Sequence, residues 1–251
     1  MEYRIIPLPL QELSSTRSLG FFRDFSPEKR KSITYSWYIE GGEKRILVDP
    51  GVEAEDVARY SSLEVAGEKI ASLEENLSRL GLTPGDIDIV IITHLHFDHF
   101  ANTRKVLGAK VIVQKRELEF MVNPHPFFAR SFQKEPWFEQ VKFVQVDGDK
   151  EIVPGIQVIL TPGHTAGNQS VVIQTSKGRA VIAGYCSTLE HFYPERFVGA
   201  SYKGKLSVNI PAVNLNNIEA YDSAIRVKNA GEIIIPPHDQ SFRDGKPIPS
   251  D

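Results

Sequence analysis

Hydrophobic positions along the chain switch between a spacing of two and a spacing of three to four, and this alternation predicts the elements. Residues 3–10 read as an edge strand interrupted by Pro7 and Pro9. Residues 11–31 mix Ser, Arg, Lys and Phe without a period and read as loop. Ile33 to Ile39 and Arg45 to Val48 form a hairpin pattern turned at Gly41-Gly42. Ile70, Leu73, Leu77 and Leu80 give residues 66–80 a helical stripe that Gly81 stops. Ile87 to Ile92 has the length and β-branching of a buried strand. A short helix at 100–107 and a strand from Ala109 to Val113 follow. Later strands are expected at 142–146, 155–160, 170–174, 180–183 and 232–235. A helix is expected at 216–229 with Ile218, Tyr221, Ala224 and Ile225 on one face, and residues 187–213 read as irregular. The order of strands then helix thus repeats once.

The pattern breaks between residues 117 and 143, where eight large apolar residues from Phe120 to Phe143 share the segment with Pro124, Pro126 and Pro136. The prolines preclude one long helix. Such an aromatic-rich insert either packs on the core or forms an apolar lid over a pocket. His125 within it reads as a surface or structural residue.

At 251 residues and 41% hydrophobic content the chain can build a core for one domain or two intimately packed halves. A formal charge of −3 shows no basic face, which argues against a nucleic-acid partner. No stretch approaches the ~20 apolar residues of a membrane span, and the first ten residues lack a signal-peptide pattern. Cys186 is the single cysteine, so no intramolecular disulfide forms and the cytoplasm is the default compartment. Exposed aromatics of the insert can serve a homodimer contact.

The chemistry concentrates in Thr93-His94-Leu95-His96-Phe97-Asp98-His99, directly after a buried strand. Three imidazoles and a carboxylate within six residues suit zinc, iron or manganese. His94 and His96 lie on the same side of an extended backbone, and a turn lets Asp98 and His99 face a second point. His164, Cys186 and His238 each follow an apolar strand immediately or after a short turn, so they can converge on one cleft. Asp49, in Asp49-Pro50-Gly51, reads first as a turn former, with a place beside the metals as the alternative.

Taken together, His94-x-His96-x-Asp98-His99, Pro162-Gly163-His164-Thr165-x-Gly167, Pro237-His238-Asp239 and Ile46-Leu47-Val48-Asp49-x-Gly51 resemble the metallo-β-lactamase-fold superfamily. The chain looks most like its N-acyl homoserine lactonase-type branch. The resemblance implies a single α+β domain over residues 1–251, a four-layer αββα sandwich with its site at one edge. It implies two divalent ions, zinc first, with iron and manganese as alternatives. His94, His96 and His164 would hold one; Asp98, His99 and His238 would hold the other. The aspartate that usually bridges them is replaced by the run Ala183-Gly184-Tyr185-Cys186. Either Tyr185 or Cys186 takes its slot, and Cys186 is the better ligand because thiolate binds zinc well.

What this implies is a metal-dependent hydrolase acting on an ester, lactone or related carbonyl substrate with an apolar portion. Zinc brings the pKa of its water to roughly 7. Asp98 would bind metal and orient the nucleophile, and Tyr185 or Tyr193 would donate to the oxyanion. Lactonase-type relatives carry such a tyrosine shortly after the bridging aspartate, but residues 187–189 contain none. His191 reads as either a substrate contact or a structural residue. The alternatives are a mononuclear iron dioxygenase of persulfide type, a phosphodiesterase, and a metal-binding protein without catalysis.

Overall fold

The computed structural model describes residues 2–60, 66–132, 134–194 and 206–250. The chain opens with β1 (Arg4–Thr16), one turn of helix α1 (Arg17–Gly20), β2 (Lys29–Glu40) and β3 (Ile46–Val48). α2 (Ala54–Tyr60), β4 (Ala66–Lys69), α3 (Leu73–Arg79), β5 (Ile89–Ile91) and α4 (Phe97–Phe100) follow. Next come β6 (Lys110–Gln114), α5 (Lys115–Val122), β7 (Lys142–Val146), β8 (Lys150–Val153) and β9 (Ile156–Leu160). β10 (Gln169–Thr175), β11 (Gly178–Ile182), α6 (Leu189–Phe192), α7 (Asn217–Ala230) and β12 (Ile233–Ile235) complete the order.

The described strands make a seven-stranded sheet, β4-β1-β2-β3-β5-β6-β7, and a five-stranded sheet, β12-β11-β10-β9-β8. Side-chain alternation sorts each strand between two cores. Ile46, Val48, Ile91 and Ile112 join Ile156, Val158, Val171, Ile182 and Ile235 between the sheets. Leu47, Val90, Val111 and Val113 face the other way, onto Leu73 and Leu77 of α3 and Met121 of α5. On the far side, Val181, Ala183 and Ile234 pack on Ala220, Ala224 and Val227 of α7. Helix, sheet, sheet, helix: the α+β sandwich is the one expected.

β3 and β5 run parallel, as do β11 and β12, so each pair delivers its carboxyl ends together. The two sheets are tied there by Gln169, whose backbone N–H donates to Thr93 O at 2.9 Å. Its side-chain amide donates to Ile92 O at 2.7 Å. This seam joins the strand end bearing His94 to the start of β10.

Several boundaries differ from the sequence expectation. Residues 11–16 are not loop: β1 continues through them, because Gln11–Ser14 pair with β4 on one side and Gln11–Thr16 with β2 on the other. Pro7 and Pro9 sit where β1 has only β2 as a neighbour, the place a sheet tolerates missing donors. The helix expected over 66–80 starts at Leu73. Ser72 caps it in a reciprocal capping box with Glu75, and the backbone of residues 66–69 pairs with β1 instead. The segment expected as a helix at 100–107 is α4 followed by a 3₁₀ stretch, Ala101–Lys105. On α7 the buried face is Ala220, Ser223, Ala224 and Val227, while Ile218 is exposed. Small residues win that face because the neighbouring Gly163 loop approaches the helix backbone closely. In the insert, Phe132 and Phe138 are buried in the outer core and Phe127 is exposed. Of the region read as irregular, residues 195–205 lie outside the described residues.

Trp37 is fully buried in the core between the sheets, 4.8 Å from Tyr35 and 5.5 Å from Phe242 by ring centroid. Trp37→Ala should cost about 3–5 kcal/mol of folding free energy by urea unfolding; a loss under about 1 kcal/mol would contradict this central position.

Candidate metal centre

Six of the expected donors meet at the carboxyl ends of the strands. His94 and His96 follow β5, His164 lies in the β9–β10 turn, and His238 follows β12. Ligand atoms of His94, His96 and His164 lie within 4.8 Å of one another, and so do those of Asp98, His99 and His238. The ring centroids of His94 and His96 are 4.7 Å apart, and each is 4.8 Å from that of His164. Nε2 of His99 and Nε2 of His238 stand 3.7 and 3.5 Å from the Asp98 carboxylate. The groups adjoin: His94 and His99 rings are 4.1 Å apart.

Four rings are held by their other nitrogen, His94 by Nδ1 against Thr93 Oγ1 at 3.2 Å. His164 Nδ1 bonds the Val213 carbonyl at 2.6 Å and His238 Nδ1 the Ile33 carbonyl at 3.0 Å. His99 Nδ1 bonds Asp49 Oδ2 at 2.8 Å. A carbonyl accepts only from N–H, so His164 and His238 carry their proton on Nδ1 and present a bare Nε2 lone pair.

Burial sets the charge states. Burial, with neighbouring imidazoles added, pushes His94 and His96 well below the usual range. His164 and His238 are brought down to about 4, chiefly by burial. His99 goes the other way: burial opposes its charge, but Asp98 and Asp49 outweigh it and raise its pKa. Asp98 stays below its ordinary value because His99, His238 and His96 offset its desolvation. Neutral imidazoles with fixed tautomers, beside an ionised carboxylate, are the donor chemistry a divalent ion requires, so the residues fit such a group.

Asp49 is more than a turn former. Its backbone is left-handed at φ 48°, a region Asp tolerates. Its carboxylate accepts from Thr93 N and Thr93 Oγ1, each at 2.7 Å, as well as meeting His99. The alternative weighed from the sequence, a position beside the metal ligands, is therefore where it sits.

Glu117 was missed. It occupies the first turn of α5 and is wholly buried. One carboxylate oxygen accepts from Leu95 N at 2.9 Å, and the other from Gly167 N at 2.7 Å. It thus clamps the loop of His94 and His96 to the loop of His164. A Cβ on Gly167 would stand 2.4 Å from Glu117 N, so only glycine admits this approach. Gly163 is constrained as well: its φ is 120° and a Cβ would lie 2.2 Å from Ala220 N. The sequence carries a weak signal for this clamp in the glycines of the His164 motif, and none at Glu117 itself.

The other expected residues stand outside the two donor groups, although Tyr185 and Cys186 line the same cleft. Cys186 belongs to neither donor group; its Sγ faces the Asn209 carbonyl at 3.9 Å, and burial drives its pKa up, leaving a neutral thiol rather than a thiolate. Tyr185 stacks on His164 with ring centroids 6.1 Å apart, yet its hydroxyl donates to the Ala220 carbonyl, so its proton is committed to α7. His191 is a buried structural residue, stacked on Phe21 at 4.2 Å with Nε2 on the Gly20 carbonyl at 3.1 Å. His125 and Tyr193 are exposed and line no part of the cleft. Beyond the donors, Leu13, Leu19, Val57, Phe97, Pro211 and Val213 give the cleft an apolar wall.

The Metallo-beta-lactamase superfamily model matches residues 30–184. An N-acyl homoserine lactonase from a Bacillus species is 31% identical over 157 residues, 59% of this chain and 61% of that protein. The match therefore spans about three fifths of the lactonase. A probable metallo-hydrolase of Methanocaldococcus jannaschii is 35% identical over 117 residues, 47% of this chain and 45% of its own. In overall shape the chain is similar to an N-acyl homoserine lactone hydrolase solved with N-hexanoyl-L-homoserine at its catalytic metal center. There the TM-score is 0.78 at 23% identity, over 97% of this chain and 96% of that one. A dizinc quorum-quenching lactonase gives a TM-score of 0.69 at 14% identity, covering 96% and 88%.

Two substitutions test the supports beneath the donors. Asp49→Ala should weaken metal binding about 10–100-fold, read by competition with a chromophoric chelator, because His99 loses its orienting partner. Glu117→Ala should cost about 1–3 kcal/mol of stability by leaving two buried amides unpaired. Unchanged chelator competition in the first variant, or an unchanged urea midpoint in the second, would remove that residue from the support.

Proposed function

The chain belongs to the metallo-beta-lactamase superfamily, and from that premise we propose that it is a metal-dependent hydrolase of lactone- or ester-type carbonyl substrates. The observation that carries this reading is the pair of adjoining donor groups, three imidazoles beside two imidazoles and a carboxylate, opening into one cleft. His94, His96 and His164 would hold one divalent ion and Asp98, His99 and His238 a second, with zinc the first candidate. Such ions supply Lewis acidity and an ionisable water near neutral pH.

The chain's own residues do the rest. The Asp98 carboxylate belongs to the second group, facing Nε2 of His99 and of His238, and is held ionised, so it can accept a proton from the attacking water and return it to the leaving alkoxide. The apolar wall of Leu19, Val57, Phe97 and Val213 excludes water and receives an acyl portion. The similarity to N-acyl homoserine lactonases supports the carbonyl class over phosphodiesters. Tyr185 is a poor oxyanion donor as it stands, since Ala220 holds its proton. Cys186, outside both groups and neutral, is left out of the proposed ligand set.

Protein purified without added metal is expected to hold about two divalent ions per chain, and chelation should abolish turnover of a panel of lactones, aryl esters and thioesters. Asp98→Asn should lower kcat/KM by at least about 100-fold. Turnover of bis-p-nitrophenyl phosphate with no activity on the carbonyl panel would overturn the assignment. A single iron with oxygen consumption would point to the redox alternative.

A further inference from the structure

One wall of the cleft is the β1–β2 ladder, where Ser15 is paired with Arg30 and Leu13 with Ser32. All four line the cleft together with the six donors. Apart from Asp98, Arg30 is the only described residue lining it that carries a permanent charge. The guanidinium has no ion-pair partner among the described residues, although two carboxylates lie close enough to act on it electrostatically. Both of these are already engaged. Glu190 takes both oxygens to Arg17, which Asp24 also pairs. Asp239 accepts from Leu189 N, Ser241 N and Ser241 Oγ at 2.6–2.9 Å.

Arg30 is nevertheless held in place. Its guanidinium carbon lies 4.9 Å from the centre of the Phe21 ring. Nη1 is buried without a hydrogen-bond partner. It passes so close beneath α1 that a Cβ on Gly20 would stand 2.4 Å from it. The Ile33 carbonyl that orients His238 lies three residues along β2, about 10 Å at the usual strand rise. A mostly buried, fixed cation with no acid of its own, flanked by hydroxyls and within a substrate's length of the donors, is built for an anion.

We propose that Arg30 anchors a carboxylate or phosphate on the substrate, remote from the bond that is cleaved, so that the natural substrate is an anionic ester or lactone. This rests on the hydrolase reading for the reaction but not for the binding. Two measurements separate them. Calorimetry on the zinc-loaded protein would compare dicarboxylates from succinate to suberate with monocarboxylates of equal length. The best dicarboxylate should bind about 10–100-fold tighter, an advantage that Arg30→Gln abolishes and Arg30→Lys partly restores. An ω-phosphonoalkanoate of the same length distinguishes the anion: tighter binding than the dicarboxylate assigns phosphate, weaker binding assigns carboxylate.

In kinetics, the ratio of kcat/KM for p-nitrophenyl hemiglutarate over p-nitrophenyl butyrate should fall about 10-fold or more in Arg30→Gln, mainly through KM. No dicarboxylate advantage in the parent protein, or one that survives Arg30→Gln, overturns the anion subsite. A dicarboxylate advantage lost in Arg30→Gln, with no ester or lactone turned over, would sustain the subsite and overturn the hydrolase reading instead.

Discussion

Crowding five imidazoles and a carboxylate into one buried cleft is unfavourable unless the backbone beneath them is held from both sheets. The Gln169 seam provides that hold. Its amide and side chain reach across to Thr93 and Ile92, the two residues that link the end of β5 to His94. Gln114 extends the link by donating to Gln169 Oε1 at 2.9 Å and to the Gly148 carbonyl at 2.8 Å. With these bonds in place the two sheets cannot slide at this edge without breaking several buried polar pairs, each costly to leave open. Glu117 repeats the device one layer further out, with a carboxylate in place of an amide. The donors thus stand on rigid strand ends, and the turns between them are pinned from outside.

Charge is distributed to match. Four imidazoles are kept neutral by burial, while His99 is drawn towards the cationic form by carboxylates on either side of it. Asp49 orients His99 from behind and holds the Thr93 backbone at the same time, so one side chain fixes both the ring and the strand end that precedes it. The left-handed backbone at Asp49 turns the chain away directly after β3, which leaves the carboxylate under the site. Turn former and support are one role here.

What could be read from the sequence was whatever is local. The His94–His99 run, the His164 turn and His238 each follow a short apolar strand, and that pattern survives folding intact. The sandwich was legible only through the family resemblance that those motifs carry. Glu117 could not be found because its neighbours Lys115, Arg116 and Glu119 mark a solvated first turn. Its burial comes from Gly167, fifty residues away. Residues 11–16 are hidden for a related reason: Gln, Glu, Ser and Thr carry no hydrophobic period, yet all six pair with β2 and the first four also with β4, and Leu13 and Ser15 form a polar-apolar wall of the cleft. Likewise the stripe from Ile70 to Leu80 gave a helix too long by two turns, since a capping box and a cross-strand ladder override periodicity. On α7 the sequence stripe is Ile218, Tyr221, Ala224 and Ile225; Ala224 is buried, but Ile218 is exposed and Ala220 takes the place against the Gly163 loop.

The departure at residues 183–186 gives the cleft its character. A bridging aspartate would place a second carboxylate between the donor groups; Tyr185 and Cys186 bring no charge, the one with its proton given to Ala220 and the other a buried thiol. On the proposed ligand set, two divalent ions would then face Asp98 as their only carboxylate, against two in the superfamily pattern. The cleft is left more electropositive by one unit, and Arg30 adds another, since the two acids near it, Glu190 and Asp239, are engaged by other groups. Positive potential focused in a low-dielectric cleft raises the local concentration of anions and disfavours neutral competitors. The lost aspartate and the unpaired arginine are separate features of the sequence, on different sheets, yet they change the field in the same direction. A substrate carrying its own negative charge would supply at the moment of binding what the chain no longer provides.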